Sequence, residues 1–177
     1  MISEAAAFAK KAHEGMVRKG TGIPYITHPM EVAVIVSQIT DDPEMIAAAF
    51  LHDVLEDTCV TREELAAEFG ERVLSLVESE TEDKSKSWKE RKQNTIDHLQ
   101  EATKEDKILI LADKLSNMRD TAKEYLIIGD ALWERFNEKR KECQAWYYRE
   151  VIKGIADLAE YPAYQELAKL YEYVFRG

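Results

Sequence analysis

Four ionisable side chains close an otherwise apolar stretch, Ala47-Ala48-Ala49-Phe50-Leu51-His52-Asp53-Val54-Leu55-Glu56-Asp57. On a helix, residues three and four apart share a face, so His52 stacks on Glu56, and Asp53 on both Glu56 and Asp57. Three carboxylates beside Ala48, Leu51 and Leu55 repel one another and are costly to bury unpaired. A bound cation removes both penalties; the competing reading is a helix end that points its polar groups at water. Two further segments weigh toward the cation. His28 stands in Pro24-Tyr25-Ile26-Thr27-His28-Pro29, directly before a predicted helix, and Asp113 follows five apolar residues, Ile108 to Ala112. Asn117 is four residues on and shares the face of Asp113. Taken alone, His28 reads as structural, and Asp113 as a surface partner of Lys114 or Arg119. Together His28, His52, Asp53 and Asp113 supply two imidazoles and two carboxylates. That mixed set suits a first-row divalent ion such as Mn²⁺ or Fe²⁺ and leaves positions open for water and substrate. Zinc also fits, although no cysteine points to it.

The order H…HD…D resembles the HD-domain metal-dependent phosphohydrolases, an all-α superfamily. The likeness extends beyond the ligands. Arg18-Lys19-Gly20, Pro24 to Pro29, His52-Asp53-Val54-Leu55-Glu56-Asp57-Thr58 and Ala112-Asp113-Lys114-Leu115-Ser116-Asn117-Met118-Arg119 look like the RK-G, PYxxHP, HDxxEDT and ADxxxNMR signatures of the RelA/SpoT-type alarmone hydrolase domain. It runs from about residue 5 to residue 121 and continues more weakly through Trp146-Tyr147-Tyr148.

The resemblance implies removal of the 3′-pyrophosphate from guanosine 3′,5′-bis-pyrophosphate (ppGpp) or pppGpp, giving GDP or GTP and pyrophosphate, with Mn²⁺ as the ion. By the same resemblance His28, His52, Asp53 and Asp113 hold the metal. Glu56 and Asp57 form the catalytic acid pair, Asn117 positions substrate, and Arg18 and Lys19 line the nucleotide pocket. Physical chemistry agrees with these roles. A metal ion acidifies bound water and polarises a phosphoryl oxygen, and a carboxylate one turn away orients that water and takes its proton. Glu56, within three or four residues of both His52 and Asp53, is the first choice. Arg18 offers a planar fork to phosphate, and Lys19 a mobile point charge. The loop after Lys19 is longer than the pattern, and Asp120, where many relatives carry an uncharged residue, is expected to face solvent. Other readings are an HD-type nucleotidase or phosphatase, including one acting on the 2′-phosphate of NADPH, and a non-catalytic nucleotide sensor.

These residues need elements to hold them, and the start and stop signals supply about eight helices. Ile2 to Glu14 carries an apolar stripe ending at Gly15; Pro29 and Asp42-Pro43 each open a helix. Thr61 to Glu64 and Ser87 to Glu90 fit capping boxes, and Thr103 caps a helix bearing Ile108, Leu111, Leu115 and Met118. A long pattern runs from Trp133 through Leu158, and a last helix follows Pro162. Alternating strand patterns are almost absent, so the fold is predicted all-α, one HD-type domain over residues 1–177. Ser79 to Ser87 reads as a solvated connector or a mobile flap. Near it Lys84, Lys86, Lys89, Arg91 and Lys92 surround Trp88. Lys84 and Arg91 are candidate phosphate contacts, against the plainer reading of a solvated charged face. Of the three consecutive aromatics from Trp146, at least one is expected in the core.

With 24 basic and 34 acidic side chains the chain carries a formal charge of −10, which disfavours binding to a nucleic-acid polymer. An apolar share of 45% is enough for a packed core. The longest apolar run, Met45 to Leu51, is far short of a membrane span. The N-terminus shows no signal core, and Cys59 and Cys143 form no metal or disulfide motif. The expectation is a cytoplasmic, stand-alone small hydrolase acting on a guanosine nucleotide, with no obligate protein partner.

Overall fold

The computed structural model describes residues 1–176. Among these the helices in chain order are α1 (Ile2–Ala12), α2 (Thr27–Ser37), α3 (Pro43–Leu51), α4 (Val54–Asp57) and α5 (Arg62–Phe69). They continue as α6 (Glu71–Glu80), α7 (Trp88–His98), α8 (Lys104–Ile128), α9 (Lys141–Gly154) and α10 (Pro162–Arg176). Short 3₁₀ turns span Gly129–Arg135 and Ala156–Leu158, and the β contact among the described residues is a single bridge between Val17 and Pro24. The all-α expectation holds.

The start signals act as caps. The Asp42 side chain accepts the Glu44 N–H ahead of Pro43, and reciprocal boxes join Thr61 to Glu64, Ser87 to Glu90 and Thr103 to Asp106. Each satisfies backbone donors that a helix start leaves orphaned. The interior is built on two helices. In α3, Met45 to Ala49 and Leu51 are all buried, and it packs on α1, α2 and α6. In α8, Ile108 to Asp113 are buried in succession, and it packs on α10, α2, α6 and α3. A helix apolar on every side belongs at the centre, and α3 and α8 meet there with α2 touching both.

Ten α-helices among the described residues replace the expected eight, for two local reasons. The segment read as one helix through Asp57 breaks after Leu51: His52 and Asp53 form a turn, Asp53 opens to φ −97°, ψ −3°, and α4 follows. The His52 ring nitrogen Nδ1 takes the Ala49 carbonyl at 2.8 Å, one of the carbonyls left free at a helix end. Second, α6 has no polar start signal, only Gly70 at φ +89°, yet Val73, Leu74, Leu76 and Val77 bury a continuous face. The pattern from Trp133 to Leu158 is also divided, because residues 136–140 leave the helical path between the first 3₁₀ turn and α9, but this adds no α-helix. The expected connector is also shorter: Ser79 and Glu80 close α6, and Glu82 is half-buried.

Candidate functional site

Three segments bring four side chains to one point. His28 lies in the first turn of α2, His52 and Asp53 at the break after α3, and Asp113 in the middle of α8. His28 Nε2 and His52 Nε2 face each other at 3.2 Å. Asp113 Oδ1 is 3.0 Å from His28 Nε2 and 3.7 Å from His52 Nε2, while Asp53 Oδ2 is 3.0 Å from His52 Nε2 and 3.6 Å from His28 Nε2. The imidazoles and Asp113 are buried and Asp53 is partly covered.

The outer ring nitrogens fix which atoms face inward. The Ala49 carbonyl can only accept, so His52 Nδ1 carries a proton. Ser116 Oγ donates its own proton to Glu31 Oε2 at 2.8 Å, so it accepts from His28 Nδ1 at 2.9 Å. Both inward Nε2 atoms of neutral imidazoles are therefore lone pairs, set against two carboxylates. Such a donor set demands a positive charge at its centre, and a divalent ion fits it. Without one the imidazole must supply it. Burial alone pushes His52 down, but Asp53 and Asp113 outweigh burial and hold its pKa well above the ordinary range. Asp53 is lowered: burial opposes this, and His52 and His28 prevail.

The remaining acids line one side of this centre. Asp57 N–H bonds the Asp53 carbonyl at 2.9 Å, carrying α4 out of the break. Glu56 Oε2 accepts the Glu82 N–H at 3.1 Å, and Lys84 pairs with Asp57 and lies 3.8 Å from Glu56 Oε1. Burial raises the Glu56 carboxyl, with Glu82, Asp53 and Asp57 adding to the rise and the Glu82 N–H opposing it. Tyr25, inside the PYITHP motif but given no role by sequence, donates to Asp53 Oδ2 at 2.7 Å and stands 3.2 Å from Asp57 Oδ2.

On the other side, Asn117 Nδ2 donates to Asp113 Oδ1 at 2.7 Å, as their spacing predicts. Its Oδ1 accepts from Arg18 Nη2 at 3.0 Å, and the same nitrogen reaches Asp120 Oδ2 at 2.8 Å. Asp120 does not simply face solvent; it holds Arg18. Lys19 reaches Asn137 at 3.4 Å, and at Gly20 (φ +80°) an added Cβ would stand 2.9 Å from Arg135 Cδ. The long loop is thus seated on the residues that follow α8.

Arg91 and Lys92 balance Glu82, as the plainer reading of this charged face expects, but the pairs are largely covered and not solvated. Trp88 lines the same cleft and packs on Trp146 and Tyr147. Tyr147 and Tyr148 are buried and Trp146 half-buried. Lys114 does pair with Asp113, but within the wall of the cleft, whereas Arg119 goes to Glu31 and Glu166. The cleft has a volume of about 530 Å³, and every residue singled out above as ligand, acid or phosphate contact lines it. Sequence reading missed Glu80. Its Oε1 is buried without a partner, and burial, only partly offset by Lys114, pushes its carboxyl up to about 8. Its position in a charged run disguised it.

Comparison with known proteins identifies the family. The HD domain family matches residues 5–127, and the chain belongs to that family. Its relatives narrow the class. A Xenopus tropicalis protein named guanosine-3′,5′-bis(diphosphate) 3′-pyrophosphohydrolase MESH1 is 38% identical over 159 residues, 88% of this chain and 84% of that one. A guanosine-3′,5′-bis(diphosphate) 3′-pyrophosphohydrolase of Aquifex aeolicus is 43% identical over 141 residues, 80% of this chain and 19% of that much longer one. A solved structure described as a metazoan ortholog of SpoT that hydrolyzes ppGpp superposes with a TM-score of 0.82 at 26% identity, over 97% of this chain and 93% of that one.

Proposed function

We infer that this protein is a metal-dependent hydrolase that removes the 3′-pyrophosphate of ppGpp or pppGpp, releasing GDP or GTP and pyrophosphate. The observation that carries the reading is the meeting of His28, His52, Asp53 and Asp113 around a common point, with the Glu56 carboxyl one turn beyond. The names of the relatives supply the substrate. The ion we assign is Mn²⁺. When bound it would lower the pKa of a water and draw charge from a phosphoryl oxygen.

The protein's own groups do the rest. Glu56, raised by burial, takes a proton from the attacking water more readily than an ordinary carboxylate, and the Glu82 N–H fixes its direction. Asp57, with Lys84 against it, is the second acid, and Tyr25 orients both Asp57 and Asp53. Asn117 links Asp113 to the Arg18 guanidinium, so substrate held by Arg18 is registered against the metal. Lys19 lines the cleft where the substrate's phosphates would lie, and Lys84 and Arg91, paired with Asp57 and Glu82, line it beside the acids.

One core runs from α1 to α10, which supports a single functional unit over residues 1–177. Among the described residues no helix is long and apolar enough to cross a membrane. We assign the protein to the cytoplasm, acting on a guanosine nucleotide with no nucleic-acid polymer, membrane or obligate protein partner. The acidic charge and the scarcity of cysteine support this. The test is to incubate purified, Mn²⁺-loaded protein with ppGpp and separate the products. GDP with pyrophosphate is expected. Orthophosphate alone would make it a monoesterase, and an unchanged nucleotide on a metal-loaded protein would overturn the assigned substrate.

A further inference from the structure

The two imidazoles at the centre are held from behind in different ways. His52 leans on a backbone carbonyl, Ala49, which no substitution can remove. His28 leans on Ser116 Oγ, and Ser116 is fully buried. Ser116 in turn donates to Glu31 Oε2 at 2.8 Å, and Glu31 Oε1 accepts Arg119 Nη1 at 2.9 Å. Arg119 is forked onto Glu166 of α10, Nε to Oε1 at 2.7 Å and Nη2 to Oε2 at 2.6 Å. The spacing makes the chain of contacts possible. His28 and Glu31 sit three apart on α2, and Ser116 and Arg119 three apart on α8, so two adjacent rungs face each other across the α2–α8 contact.

From this arrangement we propose that Ser116 and Glu31 are positioning residues for the metal: they fix the His28 tautomer and raise its strength as a ligand. The inference rests on the metal site proposed above. The physical reason is directional. Glu31, a carboxylate, can only accept, so it forces the Ser116 proton away from His28 and obliges Ser116 to take the Nδ1 proton. Nε2 is then left as a lone pair aimed at the centre. Polarisation of Nδ1–H toward a carboxylate through one hydroxyl also makes Nε2 a better donor. Arg119 and Glu166 hold Glu31 in place, so α10 contributes to the metal centre without touching it.

The experiment measures Mn²⁺ dissociation constants from the electron paramagnetic resonance of free Mn²⁺, and melting temperatures of the metal-free proteins. It compares the parent with Ser116→Ala, Ser116→Thr and Glu31→Gln. Ser116→Ala is expected to weaken Mn²⁺ binding by about 10- to 100-fold, the usual consequence of losing an outer-shell partner. Ser116→Thr, which keeps the hydroxyl, should restore affinity to within a few-fold of the parent. Glu31→Gln retains an acceptor but loses the charge, and is expected to fall between parent and Ser116→Ala. A purely structural role would lower the metal-free melting temperature and leave the constants alone. Ser116→Ala within twofold of the parent, or Glu31→Gln indistinguishable from it, overturns the inference while the metal site stands. A parent that takes up no Mn²⁺ overturns the metal site and the inference together.

Discussion

At the scale of single residues, the ligand set and the acid pair should separate in their effects. Asp53→Ala leaves two lone pairs and one carboxylate, and Mn²⁺ uptake measured by titration is expected to be lost. Glu56→Ala should keep the ion and lose about 10²- to 10⁴-fold in turnover, the range for a positioned general base. A Glu56→Ala protein turning over at the parent rate would remove that role. Glu80 gives a pH signature. Its carboxyl, ordinarily near 4.5, is pushed up to about 8 in the folded protein. Between those values the folded state holds a proton that the unfolded state has released, so this group's contribution to stability falls as pH rises through that window. Glu80→Gln removes the penalty. In chelator-treated protein its stability relative to the parent should grow from pH 5 to pH 8, read by chemical denaturation. Asp113 and Asn117 were legible because their types and helical spacing predict a shared face, whereas the stacking of His52 on Glu56 expected from the same spacing is lost at the break after Leu51. Asp120 was not, because its partner Arg18 lies 102 residues away and no local pattern encodes that pairing.

At the scale of elements, the glycine loop and the α7 start make the most pointed tests. Gly20 adopts a positive φ and lies under the Arg135 side chain, so Gly20→Ala strains the backbone and displaces Arg135 at once. The variant is expected to raise KM for the nucleotide with little change in kcat, measured by initial rates, since Arg18 and Lys19 move and the metal ligands do not. Ser87→Ala removes one side of a capping box and should cost about 1 kcal/mol of stability, read from urea unfolding. The boxes and the Asp-Pro start were visible in sequence because capping is local chemistry. The break at His52-Asp53 was hidden, because the residues there have good helical spacing and the turn depends on where a side chain finds a carbonyl. Helix α6 was hidden for the opposite reason: its apolar face is clear, but it begins without a polar cap.

For the whole molecule, the site depends on how α3 and α8 are set against each other. Leu111 is completely buried, two residues before Asp113. Leu111→Ala is expected to cost about 2–5 kcal/mol by leaving a cavity, seen as a lower melting temperature. The class of fold was accessible from the near absence of strand alternation and the burial implied by the apolar runs. How the helices pack was not, since the link from α10 to the centre runs through Arg119, Glu166 and Glu31, charged residues on three separate helices that no local pattern pairs. Of the three tryptophans, Trp88 alone lines the cleft, while Trp133 is buried and Trp146 is packed behind Trp88. A nucleotide bound in the cleft as proposed above is expected to change the emission of Trp88. Tryptophan fluorescence titrated with nucleotide, compared between the parent and Trp88→Phe, would then follow occupancy without any label.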